Sequence, residues 1–150
     1  MSDIVAIASD HGAVERRLKV VSHLQQRGIE CIDLGVADGV SADYPDQAEL
    51  VACEVVAGRV SFGVVLCGTG IGISIAANKV DGIRCALVND VFTATMAKEH
   101  NNANVLAFGG RVPLYDDLHA ILDAFIDSKF TGGRHQRRID KISNLEKNSC

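Results

Sequence analysis

Short runs of β-branched and apolar residues alternate along the chain with longer segments whose apolar positions recur every three or four residues. IVAIAS (4–9) predicts a buried strand. A helix from Ala13 to Arg27 follows, with Val14, Leu18, Val21 and Leu24 on one face and Gly28 as its stop. IECIDLG (29–35) reads as the second strand, and the turn-rich ADGVSADYP leads to a helix from Asp46 to Ala57 with Ala48, Val51 and Val55 inward. FGVVLC (62–67), IRCALVN (83–89) and NVLAFGG (104–110) are three further strands. Helices through Ile75 to Asn78, and up to His100, lie between them. Pro113 suits the start of a helix whose apolar face is Leu118, Ile121, Leu122 and Phe125. GGRHQRRIDKISNLEKN closes the chain as a helix with a narrow stripe of Ile139, Ile142 and Leu145.

Strands that are apolar on both faces and separated by helices predict an α/β fold: a five-stranded parallel sheet covered on both sides, plus the C-terminal helix. No linker or composition break divides residues 1–150, so one domain is expected. In such sheets ligands bind beyond the carboxyl ends of the strands.

Composition narrows the function classes. The chain is 47% hydrophobic and 23% charged with two prolines, as a compact globule requires. A net charge of −4 argues against non-specific nucleic-acid binding, while leaving room for a local anion site. No apolar run approaches the roughly eighteen residues of a membrane span, and MSDIVAIASDHG carries no basic leader region. Five widely spaced cysteines without a CxxC pair fit reduced thiols in a cytoplasmic chain.

The strand ends hold most of the unusual polar residues. Asp10, His11 and Gly12 follow the first strand, and Cys67-Gly68-Thr69-Gly70-Ile71-Gly72 ends the third, with Ser74 just beyond. Asn89 and Asp90 follow the fourth, and Gly109, Gly110 and Arg111 the fifth. His100 and Asn101 lie instead on the approach to the fifth strand, so their joining the others depends on the loop path or on a second subunit. The glycine loop matches neither GxGxxG with its acidic partner nor GxxxxGK, so a dinucleotide is disfavoured. It can still present amides to an anion or oxyanion.

Cys67 would lie near a helix start, where aligned amides favour a thiolate able to act as nucleophile or base. Cys31 and Cys85 read as buried packing residues; Cys53 and Cys150 are given no chemistry, and His23 is expected on the surface. Asp10 could orient His11 for acid–base work. Arg134 and Arg138, spaced i and i+4 in a cluster with His135 and Arg137, could fork around one phosphate, and Arg111 is a separate anion candidate. No histidine spacing suggests a metal. A phosphatase loop, CxxxxxR, would need arginine where Ile73 stands. The set fits aldose–ketose isomerisation of a small phosphorylated sugar through an enediolate, which needs neither redox cofactor nor metal.

The blocks SDHG (9–12), DYP (43–45), CGTGIGISIAANK (67–79), GIRCAL (82–87), HNNANVLAFGGR (100–111) and GGRHQRR (132–138) resemble the ribose-5-phosphate isomerase B family, within the group that includes galactose-6-phosphate isomerase. The resemblance implies a Rossmann-like α/β/α sandwich without a nucleotide, forming homodimers, sometimes paired into tetramers, with sites between subunits. It implies that Cys67 moves the proton, that Thr69 and His100 assist ring opening, and that Asp10 and His11 line the sugar and phosphate end. Gly68, Gly70, Ile71 and Gly72 would supply the enediolate-binding loop, with Ser74 beside it. Tyr44 and Asn101 would contact substrate, and Arg111, Arg134 and Arg138 would hold phosphate. GISIAA lacks the glutamate of the family's other branch, which points to the cysteine-type branch. A hexose phosphate such as galactose 6-phosphate or allose 6-phosphate is the alternative substrate. A non-catalytic sugar-phosphate sensor is the alternative of another class.

Overall fold

The computed structural model describes residues 3–148; Cys150 and the first two residues of the start segment lie outside that range. Eleven elements follow in order among the described residues: β1 (Ile4–Ser9), α1 (Val14–Gln26), β2 (Glu30–Asp33), α2 (Tyr44–Val56), β3 (Phe62–Cys67), α3 (Ile71–Ala77), β4 (Cys85–Leu87), α4 (Val91–Glu99), β5 (Val105–Gly109), α5 (Leu118–Asp127) and α6 (Arg134–Leu145). The strands form one parallel sheet ordered β2-β1-β3-β5-β4.

Alternation sorts the strand side chains into two cores, giving the expected three layers. Val5, Ile7, Val64, Leu66, Leu106 and Phe108 meet Val20 and Leu24 of α1, Ala94 of α4, and Ile121, Leu122 and Phe125 of α5. On the other face Ala6, Ala8, Val65, Cys67 and Ala107 meet Ala48, Val51 and Ala52 of α2 and Ile73 and Ala77 of α3. That second layer lies close because its strand residues are small. At Gly63 a Cβ would stand 2.4 Å from a methyl of Val51. Phe108, Phe125 and Leu106 are fully buried, each stabilising the fold by roughly 1.5–3 kcal/mol.

Four expectations need correction. The inward face of α1 is Val14, Arg17, Val20 and Leu24, while Leu18 is 52% exposed. Arg17 takes the buried place because its guanidinium donates to Ser9 Oγ and to the carbonyl of Val36, each at 2.7 Å, and pairs with Asp33 at 3.2 Å. Gly35 leaves room for it: a Cβ there would overlap the Arg17 guanidinium at 2.2 Å. Second, α2 begins at Tyr44, not Asp46, because Pro45 suits the first helical turn, where its missing N–H costs nothing. Third, Pro113 precedes α5 by several residues, and Asp117 caps that helix by accepting from His119 N–H at 2.9 Å and Ala120 N–H at 3.3 Å. Fourth, His23 lies against α5, 2.7 Å from Asp123 and stacked on His119 at 4.3 Å.

Two elements at the β4 side matter later. β4 is shorter than its apolar run, and Asn78 lies along its outer edge: the side-chain amide donates to the Cys85 carbonyl at 2.9 Å and accepts from the Cys85 N–H at 2.8 Å. In α6 only Ile139 is buried; Ile142 and Leu145 are 42% and 72% exposed. They line, with Arg84, Cys85, Asn101 and Ala103, a cavity of about 610 Å³. Among the described residues no helix is long and apolar enough to cross a membrane.

Candidate active site

The sheet changes direction of growth between β1 and β3, the place where parallel sheets of this kind bind ligands, beyond the strands' carboxyl ends. Asp10 follows the last residue of β1 and Cys67 ends β3, and the Asp10 N–H donates to the Leu66 carbonyl at 3.2 Å, tying the ends together. Close approach is made possible by glycine. A Cβ on Gly12 would lie 3.2 Å from the Gly68 nitrogen, and one on Gly110 would lie 2.5 Å from Ala13.

The loop after β3 wraps its own cysteine. The Gly70 N–H donates to Cys67 Sγ at 3.2 Å, and Gly70 reaches this position in the left-handed region with φ 77°. A side chain there would also stand 2.6 Å from Leu87 and 2.7 Å from the backbone of Phe108. Gly70→Ala therefore combines backbone strain with overlap, and an expected loss of at least about 2 kcal/mol of stability would appear as a lowered denaturant midpoint. An unchanged midpoint would refute this account of the loop.

The flanking groups are held in turn. Asp10 Oδ1 accepts from the Gly12 N–H at 2.8 Å. His11 Nδ1 accepts from the Ala42 N–H at 3.3 Å, so the neutral ring carries its proton on Nε2. Thr69 Oγ1 accepts from the Ile71 N–H at 3.2 Å, and Ser74 Oγ donates to the Ile71 carbonyl at 2.7 Å. The Tyr44 ring covers Gly72, where a Cβ would come within 2.7 Å of it. Arg111 donates its N–H to the Gly68 carbonyl at 2.9 Å and passes its side chain over Gly68. Asp10, His11, Tyr44, Cys67 through Gly72, Ser74 and Arg111 are thus one cluster.

His100, Asn101, Arg134 and Arg138 are elsewhere. His100 ends α4, just before β5, whose first residue pairs with Gly63 while its last pairs with Cys67. The two ends are four register positions apart, about 13 Å along the strand. There His100 stacks on His135 with ring centroids 4.1 Å apart, and Arg134 and Arg138 lie exposed on the same helix as His135. One chain therefore holds these two groups of candidate residues at opposite ends of its sheet.

Several assignments sharpen. Asp90 is committed to capping α4, accepting from Thr93 N–H at 2.6 Å, and those bonds hold its carboxyl below the usual range. Burial pushes the Cys85 thiol up to about 12; burial first, then Asp33 and Glu30, raises that of Cys31. Both remain thiols at neutral pH. Three arginines away from the strands' carboxyl ends hold the framework. Besides Arg17, Arg16 donates to the carbonyls of Gly109 and Val112 beside Arg111. Arg84 donates to those of Asn101 at 3.0 Å and Asn102 at 2.9 Å. The only signal for Arg17 was its position on the apolar side of a helix.

Comparison with known proteins agrees with this geometry. The Ribose/Galactose Isomerase family profile matches residues 5–142. Ribose-5-phosphate isomerase B of Escherichia coli is 42% identical over 142 residues, covering 95% of each chain. The structure of Clostridium thermocellum ribose-5-phosphate isomerase B superposes with a TM-score of 0.93 at 45% identity, covering 96% of this chain and 97% of that one. That of the Mycoplasma genitalium enzyme with bound ribulose-5-phosphate gives 0.91 at 41%, covering 99% of each. The chain belongs to the ribose/galactose isomerase family, in its cysteine-type, ribose-5-phosphate isomerase B branch.

Proposed function

We propose that the chain interconverts ribose 5-phosphate and ribulose 5-phosphate through an enediolate, without a cofactor. The observation that carries this reading is the Gly70 N–H on Cys67 Sγ at the carboxyl end of β3, within a loop of glycine amides. A donor aimed at sulfur bonds more strongly to a thiolate than to a thiol. α3 has only seven residues, so these local donors count for more than its dipole.

Cys67 removes the proton from the carbon beside the carbonyl and returns it to the neighbouring carbon. The amide of Gly72, joined by that of Ile71 as it leaves Thr69 Oγ1, takes the developing oxyanion, while the Gly70 amide stays on sulfur. Thr69 and His100 assist ring opening beforehand, and Asp10, His11, Tyr44, Ser74 and Asn101 orient the sugar. Arg111, Arg134 and Arg138 hold the phosphate, whose binding energy fixes the reacting carbons against Cys67.

Two half-sites at opposite ends of one sheet favour a homodimer in which each copy lends His100, Asn101, Arg134 and Arg138 to the other's Cys67. The exposed Ile142 and Leu145 of α6 suit burial in such a contact. The bound ketose of the Mycoplasma genitalium structure supports the pentose reading.

Solvent exchange of the proton on the second sugar carbon, followed in heavy water, tests the assignment. Exchange is expected with ribose 5-phosphate and weakly or not at all with galactose 6-phosphate or allose 6-phosphate. Preference for a hexose would redirect the substrate. No exchange with any of the three would leave a sensor.

A further inference from the structure

His135 has no part in the scheme above, yet its ring is fixed against a residue that does. The stack on His100 is nearly parallel, with planes 12° apart. Its backbone is anchored on both sides. Thr131 gives its N–H at 3.0 Å and its hydroxyl at 2.9 Å to the carbonyl of Glu99, the residue before His100. Arg84 holds the carbonyls of Asn101 and Asn102, and Asn102 takes a left-handed φ of 42° to present its own.

Two parallel imidazoles at this separation accept one proton readily and a second only against direct repulsion. The charged groups on the elements around the pair are Arg134, Arg137, Arg138, Asp140 and Lys141 on α6, Lys98 and Glu99 on α4, and Arg84 ahead of β4. Asp140 is engaged by Gln136 at 2.8 Å. A proton on His135 is disfavoured first by its burial, then by His100, Arg134 and Arg138. A dianion placed between Arg134 and Arg138 would reverse the sign of that field.

We propose that His135 is a positioning residue for His100, and that an oxyanion bound by Arg134 and Arg138 draws a proton from solvent onto the stacked pair. This rests on the phosphate reading of the two arginines. No bond to carbon is involved. The proton leaves bulk water as the anion binds and rests on an imidazole, available to the sugar ring oxygen. A phosphorylated sugar thus arms the acid that opens its own ring, and an unphosphorylated one does not. The sign follows: anion binding raises the pair's proton affinity, so anion affinity rises as pH falls through the pair's titration and levels off above it.

Sulfate, a dianion with no titration near neutrality, is the probe, with sodium chloride of equal ionic strength as reference. Imidazole ring-proton signals of the wild-type protein are followed against pH. In sulfate the His135 midpoint is expected to move up by more than about half a pH unit. His135→Phe and His135→Ala are both expected to flatten the pH dependence of sulfate affinity. The flat phenyl ring, which keeps the stack but not the proton, should retain more of kcat than alanine does. Sulfate-dependent shifts at the Arg134 and Arg138 side chains with an unmoved imidazole midpoint would overturn the proton coupling while leaving the phosphate site intact. Unmoved arginine signals would remove the phosphate reading, and this inference with it. Equal kcat losses in the two variants would overturn the positioning role.

Discussion

Cys67→Ala is expected to lower proton exchange at the second sugar carbon by at least about 10²-fold, the scale of a lost general base. The fold should survive, because Cys67 contributes one small buried side chain to a core that keeps all its larger members. Removing a sulfur from such a place costs on the order of 1–2 kcal/mol. Far-ultraviolet circular dichroism would confirm that the lost activity is chemical. Cys85→Ala is the matched control. Its thiol is held protonated by burial, so the variant should keep exchange within a few-fold of wild type. Undiminished exchange in Cys67→Ala would transfer the base role to another residue. Lost exchange in a folded Cys85→Ala would mean the cysteines had been divided wrongly.

The second large effect is a gain. Cys67→Ala and His100→Ala should each be nearly inactive alone, yet their mixture should recover about a quarter of wild-type activity after subunits exchange. The fraction follows from two-fold symmetry: half the dimers are mixed, and each mixed dimer has one site free of both changes. The prediction depends on the separation of the two residues, which are near opposite ends of β5. If Cys67 and His100 of one chain served the same site, every site in the mixture would still lack one of them and no activity would return. Pairing Cys67→Ala with Arg138→Ala should behave likewise, because Arg138 lies on α6, whose His135 stacks on His100.

The sheet and its order of strands and helices were legible because β1, β3 and β5 are apolar on both faces, a pattern only a doubly covered strand requires. The glycine loop was equally legible, and its spacing has a cause: a side chain on Gly70 would overlap the end of β5 and one on Gly72 would meet the Tyr44 ring. What periodicity missed were polar residues in apolar places. Arg17 broke the expected face of α1 because three oxygen partners, from Ser9, Asp33 and Val36, come from segments distant in the chain. No local pattern announces partners of that kind. The start of α2 was missed because Tyr44 and Pro45 follow a turn-rich stretch, and proline serves a turn as well as a helix start. His23 was read as surface because its partners, Asp123 and His119, arrive a hundred residues later. The proposed division of the site into two halves was suggested by where His100 falls, and the register between β3 and β5 gave that suggestion a distance.

The side chain of Asn78 along the rim of β4 constrains how copies of this chain can meet. Parallel pairing turns residues 84, 86 and 88 toward β5, leaving Cys85 and Leu87 to face outward. Asn78 takes both polar groups of Cys85, so an incoming strand would find its first docking point already occupied. Ribbon-like growth from this border is hindered at that position by one amide. An aliphatic residue at position 78 would lift that block, and slow fibrillar association on storage is the behaviour it should unmask.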